Sequence, residues 1–229
     1  YYHQWGDATA TAATQSAAAN QNNLRVATAG TAVDRDAFMF GVRIGKAFKN
    51  VAMKPSLTLW YDYLSGTKDA DLDGTSPEYK SFNTLFDTGH KFYGLMDNYL
   101  GVGTGSSASG TAGLGLQDIA IKTKLSPMPG WTLKADYHWL YTAEGVNGSP
   151  QAGLGGNSIR GGNGQRAANQ DRSNSLGNEL DITLVNKYNA NTNIAFGFSN
   201  YQTTAAFRDL RNVVGNGSNW AYLQFDVKF

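Results

Sequence analysis

Apolar side chains occupy every second position in the last ten residues of the chain. Within residues 220–229 the apolar positions are Ala221, Leu223, Phe225, Val227 and Phe229, and mostly polar or amphipathic residues lie between them. Because successive side chains of a β-strand point to opposite faces, this period of two predicts a strand with one apolar and one polar face. Such a strand separates an apolar medium from water or from a polar lumen.

The same alternation recurs along the chain and predicts a series of strands. Six further segments show it, at residues 37–48, 56–64, 115–126, 131–142, 176–188 and 192–202. Each is about ten residues long, which is the length at which a tilted strand crosses a bilayer. Residues 1–6 are interpreted as the tail of an eighth strand already under way, with sequence before Tyr1 missing.

The connections between these segments alternate between short and long. The short ones span residues 49–55, 127–130 and 189–191, and the long ones span 7–36, 65–114, 143–175 and 203–219. Outer-membrane barrels have short periplasmic turns and long extracellular loops. We therefore predict that residues 1–229 form one all-β domain, an antiparallel transmembrane β-barrel in contact with lipid of the bacterial outer membrane.

The composition agrees with this fold class. The sequence has no run of about 18 apolar residues, which excludes a transmembrane helix. The mean hydropathy is −0.39, as expected where lumen-facing residues dilute lipid-facing ones. A net charge of +1 gives no electrostatic case for binding nucleic acid, and the absence of cysteine is compatible with passage through the periplasm.

A more specific motif lies within residues 61–97. A strand ending in Tyr-Asp-Tyr-x-Ser-Gly leads into a loop with widely spaced Phe, Leu-Phe, Thr-Gly-His, Gly and Met-Asp. The motif residues are Tyr61, Asp62, Tyr63, Ser65, Gly66, Phe82, Leu85, Phe86, Thr88, Gly89, His90, Gly94, Met96 and Asp97. This pattern resembles the alginate export family of outer-membrane barrels.

The resemblance implies a fold and a function. It implies a barrel of about 18 strands, of which this chain would supply about eight C-terminal ones. It also implies a channel or porin for passive passage of a polar or anionic solute or polysaccharide. The alternative prediction is a small closed eight-stranded barrel with a structural or loop-mediated binding role, because eight strands leave an interior only wide enough for side chains.

Charged and polar residues on the predicted inner face are the candidate pore lining, since isolated charges in lipid cost several kcal/mol. They are Arg43, Trp60, Asp62, Asp118, Lys122, Lys124, Lys134, Asp136, His138, Glu179, Asp181 and Lys187. Two interpretations remain open. The lysines and Arg43 attract an anionic solute, or both signs of charge form cross-strand ion pairs that hold the wall together.

Three further features bear on metal binding or catalysis. Asp69, Asp71 and Asp73 alternate like the start of a calcium loop, but the twelfth position is Lys80, so a solvated turn is favoured and no metal site is assigned. His90 is expected to fix the packing of a loop that could fold into the lumen as a gate. His138 shares a strand face with Asp136, but no nucleophile is fixed beside it, so neither an enzyme nor a cofactor is predicted.

Aromatic residues near the predicted strand ends indicate interfacial girdles. This set contains Tyr61, Tyr63, Trp131, Tyr137, Trp139, Tyr141, Tyr188 and Trp220. Inward-facing Trp60 is the candidate for stacking against a sugar.

Overall fold

The computed structural model describes residues 1–9, 32–67, 78–84, 92–99, 111, 113–145, 173–211 and 215–229. These residues form nine strands in one sheet and one short helix. The strands are β1 Tyr2–Thr9, β2 Ala32–Ala47, β3 Ser56–Leu64, β4 Glu78–Tyr79, β5 Leu116–Leu125, β6 Trp131–Tyr141, β7 Ser175–Lys187, β8 Thr192–Thr203 and β9 Gly217–Val227. The helix is α1 Ala205–Arg211.

The eight long strands form an antiparallel meander. Their order is β1-β2-β3-β5-β6-β7-β8-β9, and the two-residue β4 pairs in parallel with β2. Within the described residues β1 pairs only with β2, and β9 pairs only with β8, so the sheet is open. The eight strands therefore do not close on themselves here, in contrast to the alternative prediction of a small eight-stranded barrel.

The two faces of the sheet differ in chemistry as the alternation predicts. On the outer face large apolar side chains are exposed, for example Ile44 at 68% and Leu223 at 62%. On the inner face polar side chains are buried, including Asp62, Asp118 and Glu179. A continuous exposed apolar face of this kind requires an apolar environment.

Three strands, β1, β2 and β9, extend further at their long-loop ends than the alternation indicates. β2 begins at Ala32, not at residue 37, because residues 32–36 continue the ladder with β1. β9 begins at Gly217, not at residue 220, because Gly217 still pairs with Gln202. Polar residues at these ends hide the alternation while backbone pairing continues.

Two of the predicted loops contain ordered structure that packs against the inner face. The segment after β4 is tied to the sheet, since Ser65 Oγ donates to the Lys80 carbonyl at 2.6 Å and accepts from the Phe38 amide at 2.8 Å. The connection between β8 and β9 contains α1, which packs on β7. Among the described residues, no helix is both long and apolar enough to cross a membrane.

An apolar cluster covers the inner face near the long connections. Leucines at the strand ends meet aromatic residues from the connections and from β8; the members include Leu64, Leu116, Leu140, Leu176, Tyr93, Tyr99, Tyr201 and Phe207. The hydroxyls of Tyr99 and Tyr201 are hydrogen-bonded to each other, and Tyr201 also donates to the Leu176 carbonyl at 2.9 Å. The cluster removes from water leucines that an open lumen would leave exposed.

Candidate functional site

The strand register arranges the inner-face side chains in rows across the sheet. Asp62 and Asp118 share the row nearest the long connections, and three further rows follow toward the short turns. The upper of these three rows holds Arg43, Trp60, Ala120, His138, Glu179 and Tyr201. The middle row holds Lys122, Asp136, Asp181, Ser199 and Trp220. The lower row, nearest the short turns, holds Lys124, Lys134, Thr183, Gly197 and Tyr222. Directly opposite residues of antiparallel strands share a face, so each row is a set of lateral neighbours.

Arg43, Trp60 and Asp62 form the first cluster on this wall. Arg43 Nη2 lies 2.5 Å from Asp62 Oδ1, and Trp60 Nε1 donates to Asp62 Oδ2 at 2.8 Å. The Arg43 guanidinium carbon lies 3.7 Å from the Trp60 ring centroid, and Lys122 Nζ lies 5.1 Å from it. Trp60 faces inward as expected, but these two cations, and not open space, surround the ring proposed for sugar stacking.

His138 links three strands in the second cluster. Its Nδ1 is 2.8 Å from Asp118 Oδ1, and its Nε2 is 3.2 Å from Lys122 Nζ and 3.9 Å from Asp181 Oδ2. A lysine ammonium can only donate, so Nε2 accepts from it and Nδ1–H donates to Asp118. Both ring nitrogens are then occupied, and the imidazole acts as a connector within the wall. Lys122 also contacts Asp136 at 3.0 Å.

The segment 92–99 lies against the upper and middle rows. The Met96 amide donates to Glu179 Oε1 at 2.8 Å, and the Leu95 amide donates to Asp181 Oδ2 at 3.2 Å. Positive φ angles at Tyr93 (62°) and Gly94 (90°) curl the backbone so that consecutive N–H groups point at these carboxylates. The described part of the predicted gate loop is thus bound to the inner face.

A cavity of about 700 Å³ lies directly below this segment on the inner face. Gly94 and Leu95 bound it on the side of the long connections. Its walls include Lys122, Lys134, Asp136, His138, Asp181, Thr183, Trp220 and Tyr222, and Leu223, Gln224 and Phe225 of the edge strand β9 border it. Cations, carboxylates and aromatic rings therefore face one space.

Nine of the predicted lining residues are joined by direct contacts or lie beside the segment 92–99. They are Arg43, Trp60, Asp62, Asp118, Lys122, Asp136, His138, Glu179 and Asp181. Lys124, Lys134 and Lys187 lie on the same face near the short turns and are exposed. None of these three lysines forms an ion pair within the described part of the chain.

The motif residues divide between described and undescribed parts of the chain. Phe82 belongs to the apolar cluster, Met96 packs against it, and Gly94 contacts Glu179; Asp97 has a positive φ of 56°. Leu85, Phe86, Thr88, Gly89 and His90 lie outside the described residues, as do Asp69, Asp71 and Asp73. Among the described residues, no three acidic or histidine side chains are grouped so as to hold a metal ion.

The predicted set of girdle residues contains one error, and the predicted lining omits two residues of the inner face. Trp220 was expected in an interfacial girdle, but it pairs with inward-facing Ser199 and therefore lies on the inner face. The alternation in residues 220–229 already contained this signal, since Trp220 has the parity of the polar positions. Ser199, which donates to Asp181 at 2.5 Å, and Tyr222 were not selected either.

An exposed apolar face opposite a wall of buried charges is typical of a β-sheet protein of the outer membrane. Residues 1–219 match the family model described as Alginate export, and the chain belongs to the alginate export family. The family is associated with the outer membrane and with transport. No curated protein sequence matches the chain. The resemblance found in residues 61–97 is thus confirmed over most of the chain.

Proposed function

We propose that the protein is an outer-membrane channel through which an anionic polysaccharide passes passively. The observation that carries this proposal is the set of lysines at the short-turn end of the inner face. Lys124, Lys134 and Lys187 have no ion-pair partner among the described residues. A polyanion entering from that end would meet positive charge that the wall itself does not neutralise.

The carboxylates nearer the long connections differ from these lysines because each has a partner. Asp62 is met by Arg43, Asp118 by His138, and Asp136 by Lys122. Glu179 and Asp181 accept backbone amides from the segment 92–99. Cross-strand pairing thus explains the charges near the long connections, which was one of the two interpretations of the sequence. Lys124, Lys134 and Lys187, which have no such partner among the described residues, then remain available to the solute.

The open edges of the sheet support a wide barrel. Within the described residues, one edge of β1 and one edge of β9 have backbone N–H and C=O groups without a partner strand. Lipid cannot supply the hydrogen bonds that such groups need. In the membrane both edges therefore pair with further strands, and the barrel is wider than eight strands. A wider barrel has room for a lumen that eight strands lack.

A second candidate function is a plugged barrel that only displays its loops. The apolar cluster and the segment 92–99 favour it, because they fill the inner face near the long connections. We infer a gated channel instead, since the filling material belongs to a connection and not to the strands, and a connection can move without breaking the sheet.

Single-channel recording of the full-length protein in planar bilayers tests the proposal. We expect conductance with a preference for anions, and block by an oligouronate added on the periplasmic side. Cation preference would contradict the role of the lysines. Lack of conductance in both wild type and variants with a loosened segment 92–99 would favour the plugged barrel.

A further inference from the structure

We propose that the cavity below the segment 92–99 binds one acidic sugar ring, stacked on Trp220 and Tyr222 with its anionic group on Lys134. This inference rests on the proposed function and assigns a binding site within the channel. It is carried by the cavity lining, by the geometry of the two aromatic rings and by the lack of an ion-pair partner for Lys134.

The two aromatic rings form one continuous surface. Trp220 and Tyr222 are inward-facing neighbours on β9, with ring centroids 4.7 Å apart and planes inclined by 31°. Both line the cavity. Pyranose rings present C–H groups on their faces and hydroxyls at their edges, so they match a surface of this kind flanked by polar groups.

The wall holds the Tyr222 ring in place. Tyr222 lies opposite Gly197 in the register, and a Cβ at Gly197 would overlap the Tyr222 ring. The ring therefore lies flat over a position without a side chain, as occurs where glycine permits close approach. The Tyr222 hydroxyl is 3.3 Å from Thr183 Oγ1, which anchors the far end of the ring. One face of the ring packs on the wall, and the other is available to the cavity.

Lys134 lies in the same row as Tyr222, at a distance that suits a sugar. Three strand spacings separate them, which is roughly 14 Å between backbones. The Tyr222 ring spans Gly197, and its hydroxyl reaches Thr183, which lies directly opposite Lys134 in the register. Only one strand spacing, roughly 5 Å, therefore separates the end of the ring from the Lys134 backbone, so a sugar stacked on the ring can place an acidic substituent near Lys134.

The other lining cation does not compete for this role. Lys122 is engaged by Asp136 at 3.0 Å and by His138 at 3.2 Å. Lys134 is exposed and has no ion pair within the described part of the chain. An aromatic surface next to an unpaired cation is the combination expected for an acidic sugar, whereas a neutral sugar needs only the surface and hydrogen-bond partners.

The test is calorimetric binding to the purified full-length protein in detergent, with two ligands. One is an oligouronate, and the other is the same oligosaccharide after its carboxyl groups have been reduced to alcohols. We expect Lys134→Gln to weaken oligouronate binding about tenfold and to leave the reduced ligand unaffected. Trp220→Leu should weaken both ligands. The matched controls are Lys46→Gln on the outer face and Tyr188→Leu at a turn. Neither control should change the affinity for either ligand.

Folding of each variant is checked by the heat-dependent shift in gel mobility that folded barrels show. If Trp220→Leu does not fold, Trp220→Phe retains part of the surface and should give an intermediate loss of affinity. The proposal is overturned if Lys134→Gln weakens both ligands equally, or if the inner-face variants behave like their controls.

The outcome is separable from that of the channel proposal. If the variants bind both ligands as the wild type does, while the protein still conducts and selects anions, the proposed binding site is wrong and the channel proposal stands. The expected pattern of affinities in a protein that never conducts would support the site and remove the channel.

Discussion

The inner face of this sheet has a sealed part and an open part, and the same strands supply both. In the sealed part, next to the long connections, Asp62, Asp118 and Glu179 are fully buried beneath an apolar cluster and the segment 92–99. In the open part, next to the short turns, Lys124 and Lys134 are exposed. Only the long connections have enough chain to fold back over the face. Connection length therefore decides which end of the inner face is covered.

The charged side chains of the two parts also differ in whether they have partners. A buried carboxylate without a partner costs several kcal/mol, so each of these three carboxylates has a hydrogen-bond donor beside it: the Arg43 guanidinium, the His138 N–H or the Met96 amide. An exposed lysine keeps its hydration and needs no partner. Paired charges therefore lie in the sealed part, and the lysines of the open part have no ion-pair partner among the described residues.

The largest expected effect comes from breaking an ion pair of the sealed part. Arg43→Met leaves the buried Asp62 carboxylate with only the Trp60 N–H, and loss of one partner of a buried pair costs about 3 kcal/mol. We expect a matching fall in the free energy of unfolding, measured by urea titration of the folded barrel in detergent. Lys187→Met in the open part should change it by less than about 0.5 kcal/mol.

A double variant shows whether the loss reflects the orphaned charge. Asp62→Asn removes the charge that Arg43 neutralises, so Arg43→Met combined with Asp62→Asn should recover much of the stability. Equal losses for Arg43→Met and Lys187→Met would show that the sealed part holds no energetically special pair.

The second-largest expected effect tests whether the segment 92–99 closes the inner face next to the long connections. A Cβ at Gly94 would overlap the Glu179 carboxyl, and Gly94 has a φ of 90°. Gly130 also has a positive φ, 78°, but a Cβ there meets only the Lys187 carbonyl at 3.5 Å. Alanine costs about 1–2 kcal/mol of backbone strain at either site, and only at Gly94 does it also push the segment off the wall.

We therefore expect Gly94→Ala to raise the open probability of the channel about tenfold, and Gly130→Ala to leave it unchanged. Single-channel recordings at fixed voltage measure the difference. Identical open probabilities for the two variants would mean that the segment does not close the lumen.

The faces of β5 to β8 could be predicted from the sequence because one period of two runs through each strand. Residues such as Ile119, Lys122 and Glu179 lie on the expected sides. The family could also be predicted, because its motif residues are clustered within residues 61–97. Local periodicity and local motifs are the information that a single sequence carries most directly.

The seal itself could not be predicted at the level of residues. Its anchors are backbone amides, and the Met96 amide meets a carboxylate 83 positions away. The sequence around each partner does not indicate this contact. The pattern identifies Glu179 only as an inward-facing charge and Met96 only as a loop residue. The prediction for Trp220 was wrong for a different reason. A tryptophan suggests a position at the membrane interface, whereas its parity in β9 gives the correct face of the sheet.

The smallest expected effect concerns the open part. Replacing the neighbouring Lys124 and Lys134 by glutamine removes two unpaired positive charges from the lower row. Because charges in a hydrated lumen are screened by salt, we expect the anion-to-cation permeability ratio to fall only roughly twofold to threefold at low salt, and less at 1 M.

The matched control for this change is Lys46→Gln with Lys49→Gln. Lys46 lies on the outer face opposite Leu57, and Lys49 lies in the short turn between β2 and β3. The control removes the same charge near the same end of the sheet but not from the inner face. Reversal potentials in asymmetric salt measure the ratio for both pairs. If both pairs shift it equally, selectivity follows from net charge near the short turns, and the open part has no special role in attracting the solute.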